Sequence, residues 1–489
     1  MMREVQHREG LISRQGGGGI VLLLLCFFLG GVALFYTYGG VRMSYIGSLI
    51  LACASIFFIV PTYRRYVIVF LFGCVFFGVG QLYGMWYEST HMVPDESIDG
   101  MYEGMVSSSP RLYDSYQFFI VEDEEDISIG VFSSLDRGVV YGDRVVLKDN
   151  LEALSSDTAY LKARGVDYVS FFPSSLSVFE GERSVLRSLY LFRDSIVSSL
   201  REVLPFDEAS FAAGTIIGRD SVSFSDDLVE KLIGSGIIHV VALSGYNVSI
   251  LVFIIALLFR SFLSRRWSVV VSVMCIWIFV VFVGAEASVV RAAAMASVVL
   301  LGALFSRPQW QWYVMVCVAV GMVLFRPSIL VYDVGFLLSF SALWGILYCA
   351  PRLVGLVSWS SSFMYAVWRL FVETFSAQIG ALPILLFFFS SVSFGGLVAN
   401  IFVLPLIPFI MLGAGVVGIG GMLSWGIGYI GMTLLSALID VSLWVTTLCS
   451  YIGTVSISFP FIGVVAYYIS IVYIVGRYTR PSLYTRIIL

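Results

Sequence analysis

Apolar runs of about 18 residues or more recur along most of this chain, and no other feature restricts its fold so tightly. As a helix, such a run crosses about 30 Å of hydrocarbon. Lipid offers no hydrogen bonds, so the crossing backbone must satisfy its own. Composition agrees. Of the 489 residues 58% are hydrophobic and 13% charged, with mean hydropathy +0.91, whereas a soluble chain carries about 25% charged residues. Twelve spans are expected, near residues 20–36, 43–61, 66–87, 237–259, 267–284, 287–305, 309–325, 334–350, 368–389, 394–421, 425–450 and 457–476. The expected fold class is mainly α: a polytopic transmembrane helix bundle of about 12 helices with one small extracytoplasmic β-barrel domain. Arg3, Arg8 and Arg14 precede the first run, but no small-residue cleavage pattern follows it, so it reads as a retained helix.

Basic residues set the orientation, because they favour the cytoplasmic side. The second connection carries Arg64 and Arg65 against Arg42 alone in the first, which puts the N-terminus inside and the chain outside after Tyr87. Arg260, Arg265, Arg266, Arg307 and Arg352 then fall inside, with Arg477, Arg480 and Arg486 in a cytoplasmic tail at 477–489. Only Arg326 falls outside. The expected location is the cytoplasmic membrane, multi-pass, with both termini cytoplasmic.

After a three-helix anchor at 1–87, the character of the chain changes. Residues 88–190 hold 19 acidic and 8 basic residues, a local charge of −11, and no cysteine, so no disulfide forms within the exposed domain. Strand-like runs at Glu103–Ser107, Tyr116–Glu122, Ile127–Ser133, Gly142–Leu147 and Val166–Pro173 are separated by turn residues. About five strands over 88–182 suit a small OB-like barrel. From Arg183 to Leu204 apolar residues recur at helical spacing between Arg187, Arg193 and Arg201, as in a helix lying at the membrane surface. Pro205 ends it, and two shorter amphipathic helices are expected within 183–235.

The remaining membrane region, 236–476, contains few residues that lipid should refuse. The ionisable ones are His239, Glu286, Arg291, Asp333, Arg369, Glu373 and Asp440; Ser244, Asn247, Gln378 and Asn400 are polar. Such residues usually face a bundle interior or a water-filled path. Each also has a plainer reading. His239 can bond a neighbouring carbonyl, Glu286 and Arg291 can join helices, and Asp333 can cap a helix N-terminus. Arg369 and Glu373, at i and i+4, suit a local pair. With three histidines and no Cys/His spacing for zinc, the sequence calls for no metal and no cofactor.

Separated stretches of this region resemble one family in order and spacing. Gly236-Ile-Ile-His239-Val-Val-Ala242-Leu-Ser244-Gly245 resembles the hallmark segment of the ComEC competence proteins. Ala285-Glu286-Ala-Ser288-Val-Val-Arg291-Ala292-Ala-Ala-Met295 and Asp333-Val-Gly335-Phe336-Leu-Leu338-Ser339-Phe340 are similar to two further motifs. Gln378 to Pro383 and Asn400 to Pro405 resemble its later turns.

The resemblance implies a non-enzymatic channel that passes single-stranded DNA into the cell during natural transformation. The implied channel core is His239, Ser244, Gly245, Arg291, Asp333, Gly335, Ser339 and Asn400, with Asn247, Glu286 and Gln378 beside them. Membrane lipid and other uptake proteins (a DNA receptor, a cytoplasmic ATPase, a separately encoded nuclease) are the implied partners. Asn247 stands where the family usually has histidine, and Val334 and Leu337 where it has Pro and Gln. The chain reaches Leu489 without the metallo-β-lactamase-like domain of many members, so no nuclease activity is expected of it.

A polyanion path through lipid should be wet and hold few fixed anions, and only four acidic residues lie between 236 and 476. The acidic exposed domain, with Glu122 to Asp126 in one run, reads as a structural plug, a docking surface or a calcium-screened contact rather than as a DNA groove. A secondary transporter of a small solute is the alternative, given the Gly/Pro-broken helices near 383–421, although the halves show no internal repeat. An intramembrane hydrolase using Ser244 and His239 is disfavoured, because five residues place them about 140° apart around a helix.

Overall fold

The computed structural model describes residues 23–37, 64–90, 98–113, 115–124, 126–135, 138–154, 158–304, 311–357, 361–423 and 425–478. Chain order begins with α1 (Leu23–Thr37) and α2 (Arg64–Thr90). Strands β1 (Ile98–Val106), β2 (Arg111–Leu112), β3 (Tyr116–Asp123), β4 (Ser128–Ser134), β5 (Arg144–Ala153), β6 (Tyr168–Phe171) and β7 (Ser175–Phe179) follow. Next come α3 (Val185–Val203), α4 (Phe206–Ile217), α5 (Asp226–Gly234), α6 (Ile238–Val241), α7 (Gly245–Arg260), α8 (Arg265–Phe282) and α9 (Ala287–Leu304). The remainder is α10 (Gln311–Phe325), α11 (Ile329–Tyr332), α12 (Val334–Val354), α13 (Ser362–Phe389), β8 (Ser391–Ser393), α14 (Gly395–Val403), α15 (Ile407–Leu423), α16 (Trp425–Ser450), β9 (Thr454–Ser456) and α17 (Phe461–Tyr478).

The chain divides into two compact units. The smaller comprises Met1–Asp95, Ser155–Gly165 and Trp310–Val334. In it α1 and α2 cross where only glycine fits: a Cβ on Gly31 would overlap the Phe77 carbonyl oxygen, and one on Gly80 that of Phe28. The 3-10 turn Ala159–Arg164 packs on the α10–α11 corner. There Arg326 donates to the Ala163 carbonyl at 3.2 Å, and Lys162 pairs with Glu88 at 2.9 Å. So Arg326, the one basic residue among the later helix connections expected outside, holds the 159–164 turn.

In the larger unit, period-two alternation buries Phe119, Val121, Ile129, Val131, Val145 and Leu147 inside a sheet. Its strand path β1-β3-β4-β6-β5 closes through β1–β5 into a five-stranded barrel, antiparallel except for the parallel pair β4–β6. The five expected strands are the barrel strands. The short β2 and the outer strand β7, which pairs with β5, are additional.

Ser184 caps α3 by accepting from the Arg187 backbone N–H, and the buried face of α3 carries Ile196, Val197, Leu200 and Val203. These residues share one apolar core with α4, α14, α15 and α16. From Ala209 to Ile217 α4 is buried at every residue but Ile216, more than the amphipathic helices expected within 183–235 would bury. A second core joins α7, α8 and α9 through Val248, Ile276, Val280, Val289 and Ala293. The barrel is tied to α3 by Arg187, whose Nη1 lies 2.5 Å from Asp143 Oδ1 with both side chains buried.

Four helices among the described residues are long and apolar enough to cross a membrane: Arg265–Phe282, Val334–Val354, Ser362–Phe389 and Gly431–Ser450. α14 and α15, bent by 57° at Leu404–Leu406, make a fifth if taken as one span. The expected spans at 20–36, 237–259, 287–305, 309–325 and 457–476 coincide with shorter apolar helices. The expected span at 43–61 lies outside the described residues. The expected span at 237–259 is not continuous. It stops at Val241 and restarts at Gly245, and this interruption positions the site.

Candidate functional site

A broken helix leaves carbonyls with no intrahelical donor. At the α6–α7 break, two side chains supply what the backbone lost. Ser288, in the first turn of α9, donates to the Leu243 carbonyl at 2.7 Å. Asn247, 1% exposed, donates through Nδ2 to the Val240 and Thr215 carbonyls, each at 3.2 Å. Those carbonyls lie in the last turns of α6 and α4, so one carboxamide closes two helix ends. Its Oδ1 accepts from Ser244 Oγ at 3.3 Å. Both ends of the Asn247 amide are thus used in holding the break.

Glu286 precedes α9, and its carbonyl accepts from the Val289 and Val290 N–H groups. Its carboxylate lies over Gly218: a Cβ on that glycine would be 2.5 Å from Oε1. Gly218 has φ +98°, which L side chains rarely adopt, so its backbone favours glycine, and a Cβ there would also have to displace the Glu286 carboxylate. Arg291, one turn into α9 and 3% exposed, donates through Nη2 to the Gly335 carbonyl at 2.9 Å, joining α9 to the start of α12. Gly245 faces Ala292 closely, at 3.7 Å from a built Cβ.

His239 sits on α6, and its Nδ1 lies 3.1 Å from the Gly236 carbonyl. A carbonyl only accepts, so Nδ1–H is the tautomer that fits. This is the plainer of the two readings of that histidine. His239 and Ser244 each bond elsewhere, so no Ser–His nucleophile pair forms.

A second group surrounds α14. Gly236 packs on Gly396, whose built Cβ would meet Gln378 Nε2 at 3.3 Å. Asn400 is 4% exposed, and its Oδ1 has no hydrogen-bond partner among the described residues. Tyr246 connects the groups by donating to the Leu404 carbonyl at 3.1 Å, so the break before α7 is bridged to the break before α15.

Thus His239, Ser244, Gly245, Asn247, Glu286, Arg291 and Gly335 gather about the first break, and Gln378 and Asn400 stand at α14. Ser339 is half-buried on α12, and Asp333 belongs to the smaller unit, between α11 and α12. Arg369 and Glu373 form the expected i,i+4 pair at 2.7 Å, on an exposed face away from this cluster's bonds. Thr215, Gly218, Tyr246 and Ser288 are not among the expected site residues. Ser288 carries a signal, lying inside the resembling motif; the other three do not.

The comparisons bear on this same region. The sequence profile of a family described as "Competence protein" matches residues 216–481, more than half of the chain. The chain belongs to the competence protein family. ComE operon protein 3 of Bacillus subtilis (strain 168) is 27% identical over 233 residues, covering 46% of this chain and 28% of that protein. The chain therefore matches under a third of that relative's length. No solved structure matches. The competence-family match encloses both breaks and every residue of the two polar groups from 216 onward.

Proposed function

We propose that this chain is a multi-pass cytoplasmic-membrane channel that passes single-stranded DNA into the cell during natural transformation. The observation that carries the reading is the family match over 216–481, the region whose helices are broken and whose breaks are lined by hydroxyl, amide and guanidinium groups. A phosphate chain crossing lipid needs such polar groups and few fixed anions. Exposed apolar side chains on the outer helices, among them Phe253, Met274, Ile278, Phe409 and Trp444, suit a lipid-facing exterior. The contact of Arg326 with the 159–164 turn supports an outer location for the end of α10. In this reading α3 lies near the membrane surface, with the barrel held over it by Arg187.

The test is uptake of labelled DNA by a transformable strain whose own competence channel is deleted and replaced by this chain. Nuclease-resistant single-stranded label should return with the wild-type chain and fall at least tenfold with Arg291→Ala. Label unchanged by the deletion, or not restored by a chain present in the membrane, would overturn the proposal.

A further inference from the structure

α13 contains Pro383 in its interior. Proline has no N–H, so the carbonyl four residues earlier, on Ile379, loses its helical donor, and the ring pushes that carbonyl aside. In an apolar surrounding the freed group must be satisfied by a neighbouring element. α17 does so. Tyr467 donates its hydroxyl to the Ile379 carbonyl at 3.2 Å, and the adjacent Tyr468 donates to the Gly380 carbonyl at 2.8 Å.

The same turn of α13 carries two other close contacts. A Cβ on Gly380 would overlap the Ser341 carbonyl oxygen of α12, and one on Gly345 that of Ser376. Gln378 meets α14 at Gly396, which itself packs on Gly236 beside the first helix break. The segment 378–383 is therefore held on three sides. α12 fixes its depth, and α14 takes its glutamine. On the third side one phenol replaces the donor that Pro383 removed, and a second holds the next carbonyl.

We infer that Tyr467 and Tyr468 are positioning residues for the channel: by holding the Ile379 and Gly380 carbonyls they fix the turn of α13 that places Gln378 against α14. This rests on the DNA-channel reading for its functional consequence, though not for its geometry. Neither tyrosine lies in a motif of the resembling family, and each acts through α13.

The test compares Tyr467→Phe and Tyr468→Phe in two backgrounds, wild type and Pro383→Ala. Alanine at 383 restores an N–H for the Ile379 carbonyl, so it removes the need for the Tyr467 hydroxyl and leaves the need for Tyr468 unaltered. Labelled-DNA uptake should fall about tenfold with Tyr467→Phe in the wild-type background, and less than twofold in the Pro383→Ala background. The Tyr468→Phe loss should be the same in both. A general packing defect would lower uptake equally in both backgrounds for Tyr467→Phe, which is the result that overturns the inference, as does full uptake by the double variant Tyr467→Phe/Tyr468→Phe. Amide exchange over residues 378–389 in detergent provides a readout independent of transport. It should speed up with Tyr467→Phe and be restored by Pro383→Ala. If the wild-type chain moves no DNA, the channel reading fails while the exchange result still decides the positioning role; unchanged exchange would overturn that role.

Discussion

Replacing Arg187 with leucine should release the barrel from α3. The guanidinium sits 2.5 Å from Asp143 Oδ1, with the two side chains 9% and 5% exposed, and also donates to the Tyr141 carbonyl at 3.1 Å. Removing one member of a buried pair costs about 3–5 kcal/mol, because the other is left as an uncompensated charge. Here Asp143 keeps backbone donors from Val140 at 2.8 Å and Gly181 at 3.2 Å. Those bonds hold its carboxylate, so the lower end applies: about 3 kcal/mol, or roughly a 150-fold increase in the opened population. Asp143→Ala should cost more, since it also strips the Val140–Asp143 turn of its cap and leaves Arg187 buried. The double variant should cost less than the sum of the two by about 2 kcal/mol, because each single change already removes the shared bond. Protease cleavage in the connection at residues 180–184, measured in detergent, reports the opened fraction. Cleavage of Arg187→Leu within about threefold of wild type would mean that the ion pair does not hold the barrel on α3, and strict additivity in the cycle would mean the same.

Three further outcomes follow from the contacts. Asn247→Ala orphans the Thr215 and Val240 carbonyls together, which should destabilise the helical body by about 2–3 kcal/mol, read as a lower denaturation midpoint in detergent; an unchanged midpoint contradicts the capping role. Gly218→Ala meets both a φ of +98° and the Glu286 carboxylate, so it should cost at least about 1 kcal/mol, and more than Gly138→Ala, which has nothing within 4 Å of a built Cβ. Gly380→Leu should force α12 and α13 apart, since even a Cβ would overlap the Ser341 carbonyl oxygen. The rate of thiol cross-linking between Ala342→Cys and Ala381→Cys, with and without Gly380→Leu, measures that separation, and an unaltered rate would refute the tight crossing.

Much of this architecture is visible in the amino-acid order, for identifiable reasons. Runs of strand-forming residues at Tyr116–Glu122 and Ile127–Ser133, bounded by turn residues, announce strands, because positions such as Phe119, Val121, Ile129 and Val131 are buried in the barrel. The spacing of Ile196, Leu200 and Val203 announces α3 for the same reason, at period 3.6. Where both sides of a segment are apolar, periodicity falls silent. From Ile237 to Phe259 only Gly245 signals that the helix can break or be closely approached, and it does not decide between the two, because the Val, Ala and Leu around it are acceptable in a continuous helix or a broken one. The break is specified at a distance, by Ser288 and Asn247 taking carbonyls that a continuous helix would have used. β7 is hidden by its place after Pro173 and by depending on β5 for pairing. Pro383 is legible as an interruption, but not which neighbour satisfies Ile379; that needs the register of α17 against α13. In the site, the motif residues are legible by resemblance, whereas Thr215 contributes only a carbonyl and Tyr246 only a reach across to Leu404.

If the chain passes DNA as proposed, the strand should run beside the bridged breaks rather than elsewhere on the helical body. The most direct measurement places a photoreactive p-benzoylphenylalanine at position 246 or 239, beside the first break, or at position 253, on the exposed apolar face of α7. Each chain is illuminated during uptake of labelled DNA in the complemented deletion strain. Cross-linking of single-stranded DNA at 246 and 239, with little at 253, is the predicted result. Equal labelling at 253, or none at the breaks while DNA still crosses, would contradict it.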